Sequence, residues 1–356
     1  MSGSPAQAVV VDDSHFMRTM LSDILEKGGV EVVDTAADGA EAVATVREIR
    51  PDVVTMDLQM PDVGGLEAVE RIMNDCPTPI LMLSAHTADG ADVTFEALEA
   101  GAVDFFTKPG GEVSTQMSGQ ADQLVRKVNA VASADVSGGR NSTGSPTSTT
   151  AVGRSDDPGC QEGATVVIAS STGGPTVVER IVASLPRAAD LRVIIVQHMP
   201  DAFTGRFADR LDAATEYDVQ EATDGDRIGG GDVLVAPGGK HLRIAGAGGG
   251  RLRIKLTEDP PEHGVRPAAD VTMRSAVDAV DEPLVGVVLT GMGADGAAGV
   301  EAINEAGGHV VVQDEASSAV FGMPKRAIER GCVDDILPAD EVPEGILEAT
   351  RPEANP

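Results

Sequence analysis

Short apolar runs alternate with amphipathic stretches from the start of the chain. Residues 8–12 (Ala-Val-Val-Val-Asp) are apolar up to a final acid, and 15–27 place Phe16, Met20, Leu21, Ile24 and Leu25 at helical spacing. The pattern repeats as strand 30–34 and helix 39–49, strand 53–57 and helix 65–74, strand 79–83 and helix 89–100. Strand 103–106 and helix 114–132 complete this first series. A second series opens with strand 165–169 and helix 175–185. It continues with strands at 192–196, 232–236, 251–256, 284–290 and 309–313 and helices near 202–212, 270–280 and 297–306. Apolar strands separated by helices predict parallel sheets covered on both faces. Between the series, residues 133–160 are dominated by Gly, Ser, Thr, Asn and Pro, with little to bury, and predict a flexible linker. The expected fold class is therefore α/β, with two doubly wound parallel-sheet domains at 1–132 and 161–350 and a polar tail at 351–356. A length of 356 residues suffices for two cores.

Composition narrows the picture. Aromatic residues make up only 2% of the chain, so the cores must be aliphatic. The 57 acidic residues against 27 basic ones give a net charge of −30. Such a surface repels phosphate backbones and argues against a nucleic-acid partner. The acids are spread along the whole chain, as expected of a protein working in concentrated salt, where screening removes self-repulsion. No apolar run approaches the roughly 18 residues that span a bilayer, and the N-terminus lacks a signal-like segment, so a cytoplasmic protein not inserted in a membrane is expected. Cys76, Cys160 and Cys332 lie far apart with no CxxC spacing and read as reduced side chains.

Ligands of parallel α/β sheets bind at the carboxyl ends of strands. Asp12, Asp13, Asp57, Ser84 and Lys108 all fall at such ends in the first series. Two adjacent acids and a third can hold a hard divalent cation such as Mg²⁺ through oxygen ligands. That cation would offset carboxylate–phosphate repulsion, so that Asp57 could attack a phosphoryl donor in line. Lys108 offers an ammonium and Ser84 a hydroxyl to the product, and Pro109 would shape the loop after Lys108. Singly, each acid reads equally well as a helix cap or a solvated strand end.

Taken together, residues 8–130 resemble a receiver domain of two-component response regulators. The resemblance implies that Asp57 is the phosphoacceptor and that Asp12 and Asp13 are the acidic pair. It implies that the Gln59 backbone carbonyl completes the metal site, that Ser84 and Phe105 are the switch residues, and that Lys108 is the phosphate-binding lysine. Phosphate would come from a histidine kinase.

The second series carries Ser170-Ser171-Thr172-Gly173-Gly174-Pro175 after its first strand and Gln197-His198-Met199-Pro200 after its second. Thr290-Gly291-Met292-Gly293-Ala294-Asp295-Gly296 follows strand 284–290. Serine, histidine and aspartate in this order are the parts of a nucleophile, a base and an orienting carboxylate. Alone, the hydroxyls read as helix caps, His198 as a structural residue and Asp295 as a turn residue. Gly173-Gly174 would let a substrate carbonyl reach N–H groups at a helix N-terminus. The GxGxxG and GxxxxGK[ST] spacings of nucleotide-binding loops are missing.

Residues 163–346 resemble the catalytic domain of the chemotaxis response-regulator protein-glutamate methylesterases of CheB type. The resemblance implies a Ser171–His198–Asp295 triad, with Thr172 as an active-site threonine and the Met292 N–H as an oxyanion donor. Pro260–Asp270 resembles the family's substrate-side loop, and Gln313–Ser317 and Phe321–Pro324 match further family motifs. Ser170 stands where an alanine is common and is a second candidate nucleophile. The implied reaction is hydrolysis of glutamate methyl esters on methyl-accepting chemotaxis receptors, releasing methanol, with glutamine deamidation as a related activity and no cofactor for the esterase. The receiver would cover the Ser171 cleft until Asp57 is phosphorylated. Two rival readings are a non-catalytic, phosphate-competing receiver with a docking module, and a serine hydrolase of a small metabolite.

Overall fold

The computed structural model describes residues 4–85, 88–108, 113–136, 163–281 and 283–351. The chain divides into two compact units, Met1–Ser145 and Pro146–Pro356. Most of the linker expected at 133–160, Cys160 and Pro109 lie outside the described residues.

The first unit runs β1 (Gln7–Val11), α1 (His15–Lys27), β2 (Glu31–Ala36), α2 (Gly39–Ile49), β3 (Val53–Asp57), α3 (Gly65–Asp75), β4 (Ile80–Ala85), α4 (Ala88–Glu99), β5 (Asp104–Lys108) and α5 (Val113–Ala132). Its five strands form one parallel sheet in the order β2-β1-β3-β4-β5. Every residue of β3 is buried, which is why it reads as an unbroken apolar run with the acid at its end. Ser14 and Asp38 cap α1 and α2 by accepting N–H groups of the first turn.

The second unit comprises β6 (Thr165–Ser170), α6 (Gly174–Ser184), β7 (Arg192–Gln197), α7 (Asp201–Ala214), β8 (Asp218–Glu221), β9 (Arg227–Ile228), β10 (Asp232–Val235), β11 (His241–Gly248) and β12 (Arg251–Thr257). It continues through α8 (Ala269–Ala279), β13 (Leu284–Val288), α9 (Ala297–Glu305), β14 (His309–Gln313), α10 (Met323–Ile328), β15 (Asp335–Leu337) and α11 (Val342–Ala349). Seven strands form a parallel sheet in the order β15-β14-β13-β6-β7-β10-β8. The doubly wound α/β class expected from the sequence is present in both units. The core is aliphatic, with Val167, Ile194, Leu234, Met273, Val288 and Ile303 among its buried members. Full burial of each such side chain contributes about 1.5–3 kcal/mol.

The segment at 251–256 differs from expectation. It does not extend the parallel sheet but belongs to a separate antiparallel sheet of order β11-β12-β9. Gly249 and Gly250, both at positive φ, form a two-residue turn that sends the chain straight back. The sequence carried this signal twice, in Gly-Gly between two apolar-rich segments and in the alternation Arg-Leu-Arg-Ile-Lys, which marks a half-exposed strand.

Candidate active site and phosphoacceptor site

In the seven-stranded sheet the chain leaves β6 toward β7 on one side, and later strands fill the other side from β13 outward. The ends of β13, β6 and β7 therefore meet at the topological switch point, where open α/β sheets bind ligands. Ser171 follows β6, His198 follows β7, and Asp295 lies in the loop after β13.

The His198 Nε2 lies 2.7 Å from Asp295 Oδ2. The same Oδ2 accepts the Ala269 N–H (2.7 Å), and Oδ1 accepts those of Asp270 (2.9 Å) and Gly296 (3.0 Å). Burial pushes the Asp295 carboxyl up, but the His198 contact and these N–H donors outweigh it, so its pKa falls below the ordinary value. An ionised Asp295 accepts, so His198 must donate from Nε2. Its Nδ1 is then the acceptor left to serve as a base.

The two serines part clearly. Ser170 is fully buried and its Oγ donates to Gln197 Oε1 at 2.5 Å. Ser171 is partly exposed, and its carbonyl accepts from Gln197 Nε2 (2.9 Å) and from the Gly174 N–H (2.9 Å). Neither hydroxyl caps α6, whose N-cap is Gly173 with no side-chain bond. Of the N–H groups at this helix N-terminus, that of Gly174 is spent on the Ser171 carbonyl. In the loop after β13, by contrast, the Met292 N–H meets no acceptor among the described residues, leaving it free for an oxyanion. Thr172 is buried beside this loop, its carbonyl accepting from Thr290 Oγ1 at 2.9 Å.

Gly291 brings that loop against the serine. A Cβ added there would sit 2.8 Å from Ser171 Cβ and 2.4 Å from Met323 Sδ. We expect Gly291→Ala to lower kcat about a hundredfold, the scale for an ångström-sized misplacement of reacting groups, with KM far less changed. Steady-state kinetics on a methyl ester checks this; an unchanged kcat would show that the loop does not position Ser171.

Sequence reasoning had no role for several groups that build the site. Gln197 holds both serines, and Gln313 Oε1 accepts the Thr290 N–H at 2.8 Å. Asp270, also fully buried, accepts the Gly299 N–H (2.6 Å) on Oδ1 and lies 2.7 Å from His263 Nε2 through Oδ2. Burial, and then the neighbouring Asp295 charge, raise the Asp270 pKa. The available signal was polar residues at the ends of otherwise apolar strands and helices. An open cavity of about 410 Å³ borders the loop after β13, lined by Gly293, Ala294, Gly322, Lys325, Arg326 and Glu329.

In the first unit the carboxyl ends of β1, β3 and β5 bring Asp12, Asp57 and Lys108 together. The Lys108 Nζ lies 2.8 Å from both Asp12 Oδ2 and Asp57 Oδ1. Carboxylate oxygens of Asp12, Asp13 and Asp57 lie within 4.8 Å of one another, an all-oxygen set that suits a hard divalent cation. Burial raises the Asp57 pKa, opposed by Lys108 and a Gln59 N–H bond. Ser84 is fully buried, with Oγ 2.8 Å from Thr94 Oγ1 and 3.3 Å from the Gly90 carbonyl, so its hydroxyl is tied to α4. Phe105 is buried with Lys127 Nζ 5.7 Å from its ring centroid. Among the described residues, no helix is long and apolar enough to cross a membrane.

Comparison with known proteins adds independent findings. Residues 166–346 match the family model for CheB methylesterase, and residues 8–115 match that for the response regulator receiver domain. A protein-glutamate methylesterase/protein-glutamine glutaminase of Haloarcula marismortui is 56% identical, over 98% of each chain. Its namesake from Natronomonas pharaonis is 57% identical over 98% of this chain and 99% of its own. Both sources are halophilic archaea, in keeping with the acidic composition. The crystal structure of the Thermotoga maritima CheB methylesterase catalytic domain aligns with a TM-score of 0.50 at 41% identity, covering 52% of this chain and 97% of that one. The chain belongs to the CheB methylesterase family of hydrolases and carries a response regulator receiver domain ahead of the hydrolase.

Proposed function

We propose that this protein hydrolyses glutamate methyl esters on methyl-accepting chemotaxis receptors and that phosphorylation of Asp57 raises the rate. The observation that carries this reading is the His198–Asp295 pair at 2.7 Å, its carboxylate held by three backbone N–H groups, at the sheet switch point that also bears Ser171. Ser171 Oγ attacks the ester carbonyl and its proton passes to His198 Nδ1. The Met292 N–H donates to the oxyanion, an interaction whose loss costs about two to three orders of magnitude in rate in comparable sites. Methanol leaves with the proton from His198, forming an acyl-enzyme. Water, deprotonated by His198, then releases the glutamate carboxylate and restores Ser171. With a receptor glutamine the leaving group is ammonia, so the same residues support deamidation.

In the receiver, Asp12, Asp13 and Asp57, with the Gln59 carbonyl, would hold Mg²⁺, which when bound offsets repulsion between carboxylate and phosphate. Asp57 takes the phosphoryl group from a histidine kinase, and Lys108 pairs with the product. Ser84 and Phe105 read out the change, and the population shifts toward the active form. The setting is the cytoplasm, where kinase and receptor signalling regions meet.

The test is methanol release from methylated receptor membranes in high salt, with and without Mg²⁺ and a small phosphodonor. Wild type is expected to respond to the donor. The Asp57→Asn variant should keep a low basal rate that the donor does not raise. A variant still stimulated by donor would remove Asp57 from the switch. A folded wild type releasing no methanol would leave the phosphate-competing regulator as the better account.

A further inference from the structure

The antiparallel sheet β11-β12-β9 carries a charge pattern opposite to that of the whole chain. Residues 227–257 contain six Lys or Arg and a single acid, Asp232, in a protein of net charge −30. Five of the cations share one face. In register, Arg253 sits directly opposite Arg227 and Lys255 directly opposite Arg243, while Arg251 is two residues from Arg253 on the same strand. The alternate positions Leu252, Ile254, Leu242, Ile244 and Ile228 are buried in the core, so the cationic face is the outer one. Arg227, Arg251, Arg253 and Lys255 are exposed.

Among the described residues, acids do little to neutralise these cations. Arg243 makes one long contact, 3.4 Å to Asp259. Among the described residues, no acid lies within ion-pair distance of Arg227, Arg251, Arg253 or Lys255. Of the bordering acids, Asp226 holds Thr223 and Asp224 accepts the Leu256 N–H, while Asp259 divides its Oδ2 between Thr257 and Arg243. Like charges placed directly opposite across a ladder destabilise a sheet. The arrangement therefore works against the fold and requires another explanation.

We propose that the outer face of β9, β12 and β11 docks a carboxylate-rich segment of a protein partner. Arginine forks pair with carboxylates bidentately, and four of the five cations are arginines. Three strands span about 10 Å and residues 251–255 about 14 Å, close to the about 10–12 Å width of one helix. About two to three turns of an acidic helix cover the patch. A nucleic-acid duplex or an anionic bilayer extends well beyond it, onto the acidic remainder of the surface, and is repelled there. β12 runs directly into the Glu258–Ala268 loop, which carries His263 and leads to α8 and Asp270.

The experiment uses the full chain and the double variant Arg253→Gln/Lys255→Gln in a potassium chloride series. The probe is a fluorescent helical peptide with glutamate at every fourth position, with its glutamine counterpart as control. Wild type is expected to bind the glutamate peptide more tightly than the control, with affinity falling as salt rises. The double variant should bind it about tenfold less tightly, while its melting temperature stays level or rises because the like-charge pairs are gone. Hydrolysis of a small neutral ester should not change, which keeps this inference separable from the esterase reading. Equal peptide binding by wild type and variant overturns the proposal. So does a variant that melts lower yet binds as before, which would make the cations structural. Patch-dependent binding of duplex DNA or phosphatidylserine vesicles in preference to the peptide overturns the assignment to a protein partner.

Discussion

Replacing Ser171 with alanine is expected to lower methanol release by about a millionfold, the scale seen when a serine nucleophile is removed from a triad. Replacing Ser170 is expected to leave the chemistry in place. The geometry sets the two residues apart: the Ser170 hydroxyl is buried and committed to Gln197 Oε1 at 2.5 Å, whereas Ser171 is partly exposed beside the loop that carries the free Met292 N–H. Ser170→Ala has a different cost. It leaves the Gln197 oxygen buried without its donor, a loss of about 1–3 kcal/mol. For a domain of this size, each kcal/mol lowers the melting temperature by about 2–4 °C. Parallel assays of methanol release and thermal unfolding distinguish the cases. A Ser171→Ala variant that keeps its rate while Ser170→Ala loses it would exchange the two assignments.

Replacing Asp295 with asparagine should cost about ten-thousandfold in kcat, the effect of holding a catalytic imidazole in the wrong tautomer. Asp295 accepts four hydrogen bonds, three from backbone N–H groups and one from His198. An asparagine offers one oxygen and must turn an NH₂ toward either the imidazole or the Ala269 and Asp270 donors. If it faces His198, Nε2 becomes an acceptor and Nδ1 carries the proton, which removes the base. The prediction has a pH corollary. Burial raises the Asp295 pKa, but His198 and the N–H donors bring it below the ordinary aspartate value of about 3.9. A depressed folded-state pKa contributes stability that is present above the unfolded value and lost as pH falls through the folded one. Above pH of about 4, neither the fold nor the rate should therefore show a titration of Asp295. An Asp295→Asn variant within about tenfold of wild type, at unchanged melting temperature, would show that the carboxylate does not orient the base.

The apolar runs at 8–12, 53–57, 165–169 and 192–196 determined strands buried on both faces, and with the intervening helical periodicity they determined two parallel α/β sheets. That followed because burial imposes a period on the chain that can be read without coordinates. Chemistry at strand ends was legible for the same reason, since parallel strands leave their carboxyl ends as the open edge for polar side chains. The tertiary structure alone decided which of two adjacent serines is enclosed, because side chains on successive residues leave a strand in opposite directions and only packing says which side is solvent. It alone selected Nε2 of His198 for Asp295 and joined Gln197, Thr290 and Asp270 to the site, contacts that span up to 118 residues of sequence. It also moved segment 251–256 into an antiparallel sheet and gathered its cations on one face, because cross-strand register has no signature in local periodicity.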